Sequence, residues 1–156
     1  MSREDRVSRR VTAAMLIGLA PAVALAADHI TAFTGTWQYN PAKSAFQPGP
    51  PFKSFTITFT REGVRNLDLV DGGGRVVKVS LPWSDGKEVT PEGMENARVV
   101  SRIQGNTVED TWRQNGRIIE TVRGVVSADG KTLTMHVEGP LPQGGTFRNR
   151  VVFDRQ

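Results

Sequence analysis

Apolar and polar residues alternate along short runs of this 156-residue chain, and this alternation constrains the fold more than any other feature. In the clearest run, Phe55, Ile57 and Phe59 alternate with threonines. A period of two places successive side chains on opposite faces of a strand, so one face of each run is apolar and is buried in a core. Similar runs continue from Phe33 almost to the C-terminus, and no segment of comparable length has helical spacing. The pattern predicts an all-β fold.

Turn signals between the runs indicate how the strands pair. Gln104-Gly105-Asn106, Gln114-Asn115-Gly116 and Ala128-Asp129-Gly130 supply residues that tolerate positive φ, as tight hairpins require. Their spacing of roughly 10 to 14 residues predicts an antiparallel meander in which sequence neighbours pair. We predict eight or nine strands, at 33–40, 53–61, 64–70, 74–81, 97–103, 106–114, 116–126, 131–138 and 146–154.

A sheet of that many strands has two exposed edges, and closure into a β-barrel removes them. A sandwich of two sheets stays open as an alternative, because strand number alone does not determine closure. Two stretches interrupt the meander. The proline-rich segment 40–51 is predicted as a loop with one helical turn near 43–46, and 82–96 is predicted as a long polar loop.

The first 27 residues have the pattern of a cleaved signal peptide. Four arginines, at positions 3, 6, 9 and 10, precede an apolar run at 11–20, and Ala24-Leu25-Ala26 is a small-x-small cleavage pattern. The apolar stretch is too short to span a bilayer as a helix. We expect cleavage after Ala26 or Ala27, by the general or the twin-arginine route, and a periplasmic or secreted domain of residues 28–156.

Composition excludes several kinds of function. The chain has no cysteine, which excludes disulfides and thiol catalysis. Removing the four arginines and two acids of residues 1–27 from its 20 basic and 16 acidic residues leaves a formal charge near +2. Basic residues do not cluster with stacking aromatics, so we expect no nucleic-acid binding. No segment after residue 27 is long and apolar enough to cross a membrane.

No group of residues has the pattern of a catalytic or metal site. The two histidines are His29 and His136, and His136 alternates with apolar neighbours in a way that points it outward. Glu109 and Asp110 are adjacent and lie on opposite faces of a strand. Serines lack a Gly-x-Ser-x-Gly elbow. We therefore expect no enzyme activity, no metal and no cofactor.

Five residues on predicted inward faces are candidates for contact with a small apolar or amphipathic ligand: Trp37, Tyr39, Asp110, Trp112 and Met135. Asp110 is the most informative of them, because an unpaired carboxylate on an inward face is costly. It either contacts a ligand, pairs with an arginine such as Arg148, or lies in solvent if the strand register is slipped.

Several motifs, taken in order, resemble small secreted lipocalin-like proteins of bacteria. They are Phe33-Thr34-Gly35-Thr36-Trp37, Asn40-Pro41-Ala42-Lys43-Ser44-x-Phe46, Asp85-Gly86-Lys87, the stretch 103–112, the stretch 126–134 and the closing Val152-Phe153-Asp154-Arg155. The resemblance covers essentially the whole predicted mature chain. It implies a calycin-like barrel, and many members of this bacterial group have no assigned activity.

The resemblance also implies roles for single residues. Trp37 matches a first-strand tryptophan that packs at the closed end of the barrel beneath an arginine from the last strand, here Arg148, Arg150 or Arg155. Fatty-acid-binding relatives end in Arg-x-Tyr, which holds the ligand carboxylate. Val151 and Phe153 stand at those positions in this chain, so the resemblance does not extend to a fatty-acid ligand.

Two functional hypotheses follow. The first is an exported binding protein that holds an apolar or amphipathic small molecule inside the barrel. The alternative is a filled barrel that acts as an envelope interaction or structural protein through its outer surface and the loops at 40–52 and 82–96.

Overall fold

The computed structural model describes residues 30–156, so the predicted signal peptide and His29 lie outside the described residues. Eleven β-strands and one turn of 3-10 helix form the described chain. The strands are β1 (Gly35–Tyr39), β2 (Ala45–Gln47), β3 (Ser54–Phe59), β4 (Val64–Val70), β5 (Val76–Pro82), β6 (Glu88–Val89), β7 (Ala97–Gln104), β8 (Thr107–Gln114), β9 (Arg117–Val126), β10 (Thr132–Pro140) and β11 (Thr146–Arg155), and the 3-10 helix is Pro41–Lys43.

All eleven strands belong to one antiparallel sheet that is nearly closed into a barrel. The order is β5-β4-β3-β1-β11-β10-β9-β8-β7-β6, and β2 pairs with β11 beside β1. The two outermost strands of this order do not form a ladder with each other. Their edges meet where Ser80 of β5 and Glu92, just after β6, exchange backbone hydrogen bonds of 3.0 and 2.9 Å. The predicted antiparallel barrel is confirmed, and the sandwich alternative is wrong.

The predicted number of strands, eight or nine, is too low. Both additional strands lie in stretches predicted as loops: β2 pairs with residues 148–150 of β11, and β6 pairs with residues 99–100 of β7. They contain only three and two residues, too few to show an alternating pattern. The helical turn also begins earlier than predicted, because the Asn40 side chain caps it by accepting a hydrogen bond from the Lys43 amide.

The alternation read from the sequence corresponds to burial. Phe55, Ile57 and Phe59 of β3 are buried, whereas the threonines between them are partly exposed. The same alternation of buried and exposed residues occurs along β7 and β8. Burying one face of each strand around a shared interior supplies the main favourable term in folding. The residues buried at the centre of the barrel are therefore those that the alternation predicts.

One end of the barrel is closed by Trp37 and Arg155. The Arg155 guanidinium lies 4.1 Å from the centre of the Trp37 ring and donates hydrogen bonds of 2.5–2.6 Å to the backbone oxygens of Ala32, Thr34 and Gly130. The Trp37 indole donates to the backbone oxygen of Phe33. Arg155 is thus the arginine that covers Trp37.

Gly35 makes this arrangement possible. Its φ is +126°, and a Cβ at this position would lie 3.1 Å from the Arg155 guanidinium. A larger residue would be strained in its backbone and would displace the arginine. The other two candidates, Arg148 and Arg150, are exposed.

We expect Arg155→Ala to lower the free energy of unfolding by about 2–4 kcal/mol, because three backbone carbonyls and the Trp37 face lose a charged partner. Urea denaturation measures this. Arg150→Ala is the matched control, because Arg150 lies on the same strand but is exposed; we expect a change of at most about 0.5 kcal/mol. Equal effects of the two substitutions would contradict the role given to Arg155.

Candidate functional site

Between the closed end and the opposite mouth, the barrel contains a cavity of about 250 Å³. Its wall is made by inward-facing residues of β3, β4, β5, β8, β9, β10 and β11, which are mostly apolar, such as Leu67, Leu69, Val77 and Val122. The mouth lies at the β4–β5 hairpin, where Asp71 and Arg75 form an ion pair of 3.1 Å. A concave apolar wall with a few polar groups is the usual composition of a small-molecule site.

The cavity wall contains a buried ion pair between β4 and β8. The Arg65 guanidinium donates to Asp110 Oδ2 at 2.8 Å, and the two side chains are only 8% and 3% exposed. Arg65 also donates to Ser101 Oγ of β7 at 3.4 Å and lies 5.7 Å from the centre of the Phe59 ring. The second oxygen of Asp110, Oδ1, is buried and has no hydrogen-bond partner within residues 30–156.

Glu120 of β9 is the third charged group in the interior. A bulge between β8 and β9 places Glu120 opposite Trp112 and leaves Ile119 as an extra residue, so that both Ile119 and Glu120 line the cavity. Desolvation by the apolar wall raises the pKa of the Glu120 carboxyl to about 7, and the neighbouring Asp110 charge adds to the rise while Arg65 opposes it. Near neutral pH, Glu120 is therefore divided between its protonated and ionised forms.

Three of the five residues predicted to contact a ligand line this cavity: Asp110, Trp112 and Met135. Trp37 is at the closed end beneath Arg155. Tyr39 belongs to an aromatic cluster with Phe46, Phe52 and Phe153, in which its ring centre lies 6.0–6.4 Å from the others. Ligand contact by the five residues stays a prediction, and only three of them are placed where the cavity allows it.

The structure also identifies the partner of Asp110. The alternative that Asp110 pairs with an arginine is confirmed, but the arginine is Arg65. The suggested arginine was wrong, because Arg148 is exposed on the outer face, 3.6 Å from Glu138. Asp110 is only 4% exposed, so the slipped register is also excluded, and Glu109 lies on the opposite, outer face of β8 beside Arg123.

Sequence reasoning missed Arg65 and Glu120. Arg65 alternates in phase with Leu67 and Leu69 of the same strand, which is a signal for an inward-facing arginine. Glu120 is in phase with Val122 and Val126, but the adjacent pair Ile118-Ile119 obscures the alternation because of the bulge. Asp110 lies 45 residues from Arg65 in the sequence. Their ion pair therefore could not be predicted from a local sequence pattern.

A larger groove of about 650 Å³ lies on the outside of the barrel, between β2 and the outer faces of β8 to β11. Exposed polar residues form most of its wall, among them His136, Glu138 and Arg150, so the predicted outward direction of His136 is confirmed. Within residues 30–156, no cluster of three or more histidines and carboxylates has the arrangement of a metal site. In the same range, no helix has the length and apolar character needed to cross a membrane.

Comparison with known proteins assigns no family to this chain. No family model matches the chain, and no curated protein matches it. Among solved structures, the chain is similar to zebrafish ileal bile acid-binding protein in complex with cholic acid, with 11% sequence identity and a TM-score of 0.49, over 80% of this chain and 99% of the other. A likeness this distant adds nothing to the assignment of the barrel, which follows from the strand pairing described above.

We expect Glu120→Gln to stabilise the protein by about 1–3 kcal/mol at pH 8 and by less than half as much at pH 5. The folded-state pKa is raised from 4.5 to about 7. Stability contributed by the protonated carboxyl is therefore present at low pH and is lost as the pH rises through about 7, and glutamine avoids this loss.

Urea denaturation at the two pH values measures the effect of Glu120→Gln. Glu109→Gln, which changes an exposed carboxylate of β8, is the control and should show no such difference between the two pH values. A Glu120→Gln variant that is equally stable with the parent at pH 8 would contradict the raised pKa.

Proposed function

We propose that this protein is an exported binding protein that holds a small apolar or amphipathic molecule in the cavity of its barrel. The observation that carries this proposal is a mostly apolar cavity of about 250 Å³ whose lining includes the charged side chains of Arg65, Asp110 and Glu120, from strands β4, β8 and β9. A barrel with no ligand to accommodate is expected to fill its interior with side chains, because empty volume lowers stability. Here aromatic residues pack the closed end, and Phe52, Phe55 and Trp112 line the remaining space without filling it.

The size of the cavity limits the ligand. Drug-sized ligands occupy pockets of about 300 to 1,000 Å³, and this cavity lies just below that range. It accommodates the volume of about eight water molecules at ~30 Å³ each. We therefore expect a short-chain or single-ring molecule, or the end of a longer one that extends through the mouth.

The inner cavity is a better candidate than the larger outer groove. The groove is open and is lined mainly by exposed charged and polar side chains, such as Glu109 and Arg123, which already pair with each other at 2.6 Å. Water competes effectively for such groups. In the cavity, a ligand exchanges contact with water for contact with Leu67, Leu69 and Trp112. The free energy gained per unit of buried apolar area is larger there than for polar contacts in the groove.

The alternative, a filled barrel that acts through its outer surface, requires an interior without space for a ligand. The cavity weighs against that premise. Binding of a partner protein by the loops at 40–52 and 82–96 stays a prediction without a structural observation that favours it.

Binding in the cavity is tested by a matched pair of substitutions on β5. Val77 lines the cavity, and its neighbour Val76 points outward and is 64% exposed. We expect Val77→Phe to weaken binding of n-octanol, measured by calorimetry, by about tenfold or more, because the added ring occupies the cavity. Val76→Phe should leave binding unchanged. Thermal melting of both variants verifies that they are folded, and equal affinities would contradict binding inside the barrel.

Export is supported by the pattern of residues 1–27. We expect protein recovered from the periplasm or the medium to begin at Ala27 or Asp28, as cleavage after Ala26 or Ala27 requires. N-terminal sequencing measures this. A cell-associated protein that retains residues 1–27 would contradict the export proposal without affecting the cavity.

A further inference from the structure

The wall of the cavity has an excess of hydrogen-bond acceptors and of negative charge. Two carboxyl groups, Asp110 and Glu120, face one guanidinium, that of Arg65. Arg65 is already engaged, because it donates to Asp110 Oδ2 at 2.8 Å and to Ser101 Oγ. The other cation of the lining is Arg75, which pairs with Asp71 at the mouth.

The unpaired acceptors are close to one another. Glu120 lies on the strand beside Asp110, directly opposite Trp112 and diagonal to Asp110 in the β8–β9 pairing. Asp110 Oδ1 is buried and accepts no hydrogen bond, and no hydrogen bond or ion pair of Glu120 occurs within residues 30–156. Buried polar atoms are nearly always paired in folded proteins, so the unpaired Asp110 Oδ1 at the wall of the cavity points to a partner supplied by a ligand. The carboxyl group of Glu120, which is only partly buried, is accessible to the same ligand.

The charges discriminate between kinds of ligand. A carboxylate ligand would bring a third anionic group beside Asp110 and Glu120, where the charge of Arg65 is already paired with that of Asp110. A protonated amine would supply the missing positive charge and several donors. Charged hydrogen bonds of this kind are among the strongest in proteins when water is excluded.

We propose that the cavity selects small amphiphiles with a protonated amine head group over carboxylates of the same length, and that Glu120 is the residue that determines this specificity. This inference rests on the proposed function, since it names the chemistry of the ligand for the same cavity. The apolar body of the ligand lies against Leu67, Leu69 and Trp112, and the amine lies against Glu120.

The affinity for an amine depends on pH in a defined direction. The pKa of Glu120 is about 7, so its carboxylate form becomes dominant as the pH rises from 5.5 to 8, a range in which an alkyl ammonium keeps its proton. Amine binding therefore tightens with rising pH. The other charged groups that face Glu120 or the cavity are Arg65 of β4, Asp110 of β8 and the Asp71–Arg75 pair at the mouth.

The test is calorimetric titration of the protein with n-octylamine, n-octanol and n-octanoate at pH 5.5 and pH 8. At pH 8 we expect n-octylamine to bind about tenfold or more tightly than n-octanoate, and this ratio should fall at pH 5.5. Glu120→Gln should weaken n-octylamine binding by about tenfold at pH 8 and should change n-octanol binding much less than n-octylamine binding. Glu109→Gln, on the outer face, should change none of these affinities.

The outcomes separate this inference from the proposed function. If n-octanol binds but n-octylamine binds no more tightly than n-octanoate, the head-group specificity is overturned and the binding function stands. If Glu120→Gln binds n-octylamine as tightly as the parent, the assignment to Glu120 is overturned. If none of the three compounds binds, the proposed function itself fails.

Discussion

The ion pair between Arg65 and Asp110 is the interaction on which the barrel and its cavity most depend. In the strand order, the sheet ends at β5 on one side and at β6 on the other. Within residues 30–156, the backbone pairing between these edges is limited to the isolated bridge between Ser80 and Glu92. Arg65 of β4 crosses this seam through the interior and contacts Ser101 of β7 and Asp110 of β8. Side chains thus supply a connection that backbone pairing does not. Removing either charge would leave the other buried without its ion-pair partner.

The same ion pair sets the character of the cavity. The closed end is packed by aromatic residues, with Phe33 and Phe59 against each other and Trp37 beneath Arg155. The cavity is lined by aliphatic residues, by Phe52, Phe55 and Trp112, and by the charged side chains of Arg65, Asp110 and Glu120. Because Arg65 neutralises Asp110, the ionisation of Glu120 decides the net charge of the wall. Stability favours a protonated Glu120, whereas binding of a cation favours the carboxylate, which is a common conflict at functional sites.

Much of the architecture could be predicted from local patterns. Alternation located the core of β3, β7 and β8 and the inward direction of Asp110, and the resemblance to lipocalin-like proteins implied that an arginine covers Trp37. The two short strands escaped prediction, because two or three residues show no period. The partner of Asp110 could not be found, because it depends on how the sheet closes. The inward position of Glu120 was not predicted, because the bulge next to it adds one residue to β9 and interrupts the alternation there.

Amide hydrogen exchange at the seam tests the central claim most directly. The amides of Ser80 and Glu92 donate the two hydrogen bonds of the bridge. In Asp110→Ala we expect the protection factors of these two amides to fall by about a hundredfold relative to the parent. Those of the Met135 and Val137 amides in the β10–β11 ladder should fall less. Equal loss at the seam and in the ladder, or no loss at either, would contradict the claim that Arg65 and Asp110 hold the barrel closed.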